Sequence, residues 1–240
     1  MPKIFGWQHL TYLAVFIVVS ALTIFLSKKY LKDSKSQTIY LKIVAGLILI
    51  SEILNRVFVA KDSGWNVFIP NTFCGFSSLA ISLLVLFGKP KMKVFQCFWY
   101  MAFFGGIITL IYPDFIGQAQ SLFYSKTITG LLHHSFDIIL CINLFMFGWV
   151  EPDLKNWYYF PMVFTSYIVL GAFEMSVLGV GSAMSINKAI IGNGILTCWF
   201  IWSVGSVLIF LVSFLYDYIK KRKTPKLIEN AQNENLGNDK

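Results

Sequence analysis

Charge is what this sequence has least of. Only 13% of its 240 residues are Asp, Glu, Lys or Arg, whereas 56% are hydrophobic and 17% aromatic. A soluble domain of this length needs more polar surface than that to meet water, so a water-soluble globule is excluded. Cysteine is scarce as well. Cys74, Cys97, Cys141 and Cys198 each lie inside an apolar run, at no spacing that suggests a metal finger or a disulfide framework. A small-residue cleavage site is missing after the first apolar run, which therefore does not read as a removed signal peptide. Internal self-similarity is missing too, which leaves the inverted-repeat architecture of many transporters without support. No lysine lies between Asn193 and Asp217, which argues against a retinal-type attachment in the last span. No cofactor motif stands out, and no cofactor is expected.

What the sequence does have is length in its apolar runs. Seven stretches reach or approach the roughly 20 residues that cross a bilayer as helix, at about 9–27, 40–60, 69–88, 94–112, 129–149, 157–178 and 194–218. The expected fold is an all-α polytopic membrane bundle of about seven transmembrane helices. The net charge of +8 does not point to nucleic acid, because the basic residues are sorted around the spans. Lys28, Lys29, Lys32 and Lys35 follow the first span, Lys89, Lys91 and Lys93 the third, and Lys220, Lys221, Arg222 and Lys223 the last. The connections after spans 2, 4 and 6 carry about one lysine each, at Lys61, Lys126 and Lys188. The positive-inside rule then puts the N-terminus outside and the C-terminal tail in the cytoplasm. Residues 1–218 read as the membrane domain, and 219–240 as a basic juxtamembrane segment followed by a disordered tail.

Against this background, polar groups inside the spans mark a site, because burying them in lipid is costly. With the stated orientation, Arg56, Cys74, His133, His134, Asp137 and Glu174 all fall toward the outer ends of their helices, with His9 opening the first span. In GLLHHSFDIIL, Asp137 follows His134 by three residues and His133 by four, both spacings that share a helix face. A carboxylate there orients an imidazole, an imidazole activates a thiol, and Cys74 is the thiol at matching depth. In SEILNR, Glu52 and Arg56 stand at i, i+4, so an intramembrane ion pair is available, and Arg56 is suited to a phosphate or carboxylate. Glu174 has no cation at helical spacing in its own span, which makes Arg56 the expected partner from another helix. Cys97, Cys141 and Cys198 read as packing residues. Cys74 and the Glu52–Arg56 pair also admit a plain packing role.

The run PNTFCGFS, the span closing as GIITLIYPD, and the histidine of GLLHHSFDIIL together resemble the YwaF-like integral membrane proteins of bacteria. Pro70 four residues before Cys74, Pro113 with Asp114 at a span end, and His134 (or its neighbour His133) early in the next span carry the resemblance. His9 in GWQHLTYL is similar to a histidine often found at the first span of that family. The match covers about residues 65–145. The family is similar in turn to eukaryotic membrane enzymes that move acyl chains between phospholipids with a Cys and a His. The resemblance therefore implies those roles for Cys74 and His134, membrane phospholipids as partners, and a bacterial cytoplasmic membrane as the location.

Two readings follow. In the first the chain is an intramembrane lipid-modifying enzyme, an acyltransferase or transacylase of the outer leaflet. Cys74, His134, His133 and Asp137 form its catalytic group, and Arg56, Glu174, Glu52, His9 and Asp114 form its substrate-binding group. In the second it is a transporter or small-molecule receptor using the same polar layer as a pocket. A metal-dependent hydrolase is disfavoured, since adjacent His133 and His134 diverge by about 100° around a helix and do not readily share one metal.

Overall fold

A computed structural model describes residues 3–113, 121–188 and 197–237, with side chains to Arg222. Among the described residues the chain is helical and has no strand: α1 (Trp7–Tyr30), α2 (Ser34–Ser63), α3 (Phe73–Phe87), α4 (Phe95–Ile111), α5 (Ser125–Met146), α6 (Tyr159–Ser176) and α7 (Cys198–Gly237). The helices α1, α2, α5 and the Cys198–Arg222 part of α7 are long and apolar enough to cross a membrane, and α3 and α4 are shorter apolar helices. The fold is thus a membrane helical bundle.

Helices α2 to α5 form its centre. α2 packs on α3 and α5, and α4 packs on the same two, closing a four-helix ring; α1 lies against α5, α6 against α4, and α7 against α6. Burial follows this order. In α5, 72% of the membrane-length window is buried, against 11% in α1, so α5 is the axis of the bundle and α1 turns its apolar side chains to lipid. One apolar cluster, with Leu41, Ile48, Ile81, Val85, Phe95, Leu140 and Leu144, fills the ring on one side. A second, with Phe73, Tyr100, Phe164 and Tyr167, joins α3 and α4 to α6.

Local chemistry sets the helix ends. Asp33 accepts a hydrogen bond from the Ser36 N–H at 2.8 Å and caps α2. Gly64, with φ +104°, stops α2, a backbone setting that side-chain-bearing residues resist. α3 begins at Phe73, later than the apolar run at 69: Pro70 disfavours helix in the residue before it, and Thr72 caps the helix by accepting from the Gly75 N–H at 3.3 Å. α5 begins at Ser125, earlier than the apolar run, because its polar first turn is helical too. It ends at Met146, where Gly148 takes φ +70° and the N–H groups of Trp149 and Val150 return to the Leu144 carbonyl. α7 continues to Gly237. Because successive helices alternate in direction, the ends of α2 and α4 meet the starts of α3 and α5 at one end of the ring. The site lies there.

Candidate active site

A cavity of about 440 Å³ opens between those four helix ends. Asn55, Arg56 and Val59 line it from α2, Cys74 and Gly75 from α3, Thr109 from α4, and Lys126, Gly130, His133 and His134 from α5. Four of the six residues singled out by their depth, Arg56, Cys74, His133 and His134, therefore line one cavity. Asp137 belongs to the same cluster one turn deeper, fully buried behind His134.

Cys74 sits in the first turn of α3, where Thr72 has just begun the helix. Its sulfur lies 3.6 Å from the Thr109 hydroxyl, and a Cβ placed on Gly105 would come within 3.0 Å of it, so α4 offers the thiol a seat shaped by the absence of a side chain. Among the described residues no hydrogen bond joins this sulfur to either histidine, although all three side chains line the same cavity.

The two histidines, with ring centroids 4.0 Å apart, are engaged differently. His133 Nδ1 is 3.0 Å from the Thr129 carbonyl, which only accepts, so this nitrogen carries a proton. Its Nε2 is 3.4 Å from Glu52 Oε2. His134 Nδ1 lies 3.7 Å from Asp137 Oδ2, an ion-pair distance too long for a hydrogen bond, and this buried nitrogen takes no hydrogen-bond partner among the described residues. Ser78 Oγ lies 2.5 Å from Asp137 Oδ2 and 2.9 Å from the Cys74 carbonyl, two acceptors that share its single proton. One serine thus ties the acid on α5 to the backbone that carries the thiol.

Glu52 and Arg56 pair as their spacing suggested, with Nε 3.2 Å from Oε1. Arg56 Nη2 donates to Asn55 Oδ1 at 3.0 Å, and Asn55 Nδ2 donates to the Lys126 carbonyl and Thr129 Oγ1, at 2.8 and 3.1 Å. Gly75 makes the approach of α3 possible, since a Cβ there would stand 2.7 Å from Glu52 Oε1.

Two expected contacts are absent. Glu174 is fully buried near the end of α6, yet neither carboxylate oxygen has a hydrogen-bond partner among the described residues, and Arg56 does not pair with it within 4 Å. The i, i+4 partner Glu52 takes that role because it shares the helix with Arg56 and needs no tertiary fit. His9 does not line the cavity either. Its Nδ1 accepts from the Phe5 N–H at 3.0 Å and its Nε2 then donates to the Leu110 carbonyl at 2.8 Å, so both nitrogens are spent on fixing α1 against α4. Asp114 lies outside the described residues.

Ser78, Thr109, Gly75 and Gly105 were not singled out from sequence. Ser78 had a legible sign, since it stands four residues after Cys74; the other three act through tertiary neighbours that no spacing reveals. Among the described residues no group of three or more His, Cys, Asp and Glu side chains is placed to hold a metal ion. A family model described as the TMEM164 family matches residues 4–218, a stretch that includes every residue lining the cavity. No curated protein and no solved structure matches the chain.

Proposed function

The chain belongs to the TMEM164 family of membrane proteins, and we propose that it is a phospholipid acyltransferase or transacylase that works through Cys74 and His134. The observation that carries this reading is the order Asp137, His134, cavity, Cys74. An acid stands 3.7 Å from Nδ1, and the imidazole and a thiol line the same cavity. The motif resemblance to Cys/His lipid enzymes points the same way. His133 is a poorer base, because a carbonyl holds its Nδ1 and Glu52 faces its Nε2.

In this mechanism Asp137 closes on Nδ1 and holds the His134 proton there, which leaves a lone pair on Nε2. Nε2 takes the proton of the Cys74 thiol, and the thiolate attacks the ester carbonyl carbon of a phospholipid. A carbon–sulfur bond forms as the ester carbon–oxygen bond breaks, and the imidazolium returns its proton to the departing lysophospholipid oxygen. A lipid hydroxyl or water then gives its proton to Nε2 and attacks the thioester. The carbon–sulfur bond breaks as the new ester forms, or the free fatty acid when water attacks, and the imidazolium returns its proton to the sulfur. Thiol and base are not within hydrogen-bond distance in the structure, a gap that substrate binding closes in many enzymes.

The lysine bias sets the cavity at the outer end of the bundle, in the cytoplasmic membrane of a bacterium as the motif resemblance implies. The reading is tested by incubating the purified protein with two phospholipids of distinct acyl composition and following new species by mass spectrometry. Exchange that disappears in Cys74→Ser and His134→Ala is the expected result. Exchange that persists in Cys74→Ala rules out covalent catalysis, and no exchange under any lipid composition leaves the cavity as the pocket of a transporter or receptor.

A further inference from the structure

We propose that Arg56 is a receptor for the phosphodiester of the lipid and that Glu52 and His133 are positioning residues which leave its charge unspent. The lipid as ligand rests on the acyl-transfer reading; the charge argument does not.

His133 Nδ1 carries a proton because the Thr129 carbonyl, 3.0 Å away, only accepts. In neutral imidazole the other nitrogen is then a bare lone pair. Glu52 Oε2 stands 3.4 Å from that nitrogen, and a lone pair facing a carboxylate repels it unless a proton lies between them. With that proton on either atom, the Glu52–His133 pair is neutral as a whole. The positive charge of Arg56 is then not cancelled by the carboxylate beside it. Glu52 orients Arg56 through its 3.2 Å contact with Nε, Asn55 Oδ1 takes Nη2, and Nη1 has no hydrogen-bond partner among the described residues. Lys126 adds a second cation to the lining, and of the other two buried acids nearby neither lines the cavity: Asp137 lies behind His134, and Glu174 on α6 feels the charge of Arg56 without pairing with it.

The cavity thus holds a surplus of positive charge inside an apolar bundle, where an uncompensated charge is costly. An anion relieves it. A phosphodiester fits best, because the planar fork of Arg56 matches two phosphoryl oxygens and a phospholipid brings that group within reach of its own ester bonds. Gly75 supports the arrangement, since a side chain there would collide with Glu52 Oε1.

The test measures equilibrium binding to the full chain carrying Cys74→Ala, so that no turnover intervenes. The probes are a fluorescent phosphatidylcholine and a diacylglycerol with the same acyl chains and no phosphate. Arg56→Gln should weaken phosphatidylcholine by about tenfold or more, the scale of a lost charge-assisted contact, and leave diacylglycerol unchanged. Arg56→Lys, which keeps the charge and loses the fork, should fall between. His133→Ala should weaken the same probe selectively, and His133→Gln, which restores a polar partner for Glu52, should recover part of it. Equal losses for both probes, or no loss for either, overturn the proposal. Glycerophosphocholine as competitor separates headgroup from lipid: failure to displace at equal concentration supports the lipid, and equal competition overturns it as the source of the anion. Selective phosphatidylcholine binding without acyl exchange in the Cys74-bearing protein leaves the subsite standing and removes the enzyme reading. Exchange with no selective effect of Arg56→Gln does the reverse.

Discussion

At the scale of single residues, the site is built as much by what two glycines omit as by what its polar side chains supply. Cys74 is held between the Thr109 hydroxyl at 3.6 Å and the open face of Gly105. Gly105→Ala puts a methyl group 3.0 Å from the sulfur, which must give by a few tenths of an ångström. We expect the alkylation rate of Cys74 by iodoacetamide to change severalfold with the fold intact, whereas Gly46→Ala, with nothing within 4 Å of the added atom, changes neither. An unchanged rate in Gly105→Ala means that Gly105 does not set the thiol's seat. Cys74, His133, His134, Asp137 and Arg56 were legible in sequence because ionisable or nucleophilic groups are rare inside apolar runs. The division of labour between the histidines was not, because it depends on which one meets the Thr129 carbonyl and which one Asp137. Glu174 shows the limit from the other side: its rarity was visible, but the inferred bond to Arg56 was not formed.

Among the elements, α5 does most to place chemistry, since it contributes Lys126, Gly130, His133 and His134 to one wall and holds Asp137 behind them. Its existence followed from hydrophobic length. Its first turn, Ser125 to Ile128, did not, because polar residues hide a helix start from an apolar-run criterion. At the far end of the bundle the loop after α5 is tied to α7, where Lys220 and Tyr216 both donate to Glu151. The Lys220 hydrogen bond holds the Glu151 carboxyl below its ordinary range near 4.5. A lowered acid contributes stability that is present above the unfolded value and is lost as pH falls through the folded one. The protein should therefore melt at a higher temperature than Glu151→Gln at pH 7, by a small margin because the pair is solvent-exposed, and the gap should shrink as the pH falls below the ordinary carboxyl value of 4.5. A gap that is constant across that range shows the difference to be unrelated to the charge.

For the whole molecule, charge sorting and cavity position agree on a polarity. The cavity lies where α2 and α4 end and α3 and α5 begin, and the lysine groups at Lys28 to Lys35 and Lys89 to Lys93 lie at the opposite ends of those helices. Reporter fusions at residue 91 should read as cytoplasmic and at residue 62 as external, and the reverse result moves the chemistry to the inner leaflet without changing its geometry. The bundle and its approximate spans were legible because lipid permits few alternatives to helix. The ring of α2 to α5 was not, since which helices adjoin depends on side-chain fit across the whole molecule. The central claim is that Cys74 carries the acyl group between lipids. Its most direct test is the mass of the intact protein after brief exposure to a phospholipid of a single acyl type. We predict a transient gain equal to that acyl group, mapped to Cys74, released by hydroxylamine and absent in His134→Ala. A protein that exchanges acyl chains while Cys74 stays unmodified and replaceable by alanine contradicts the account.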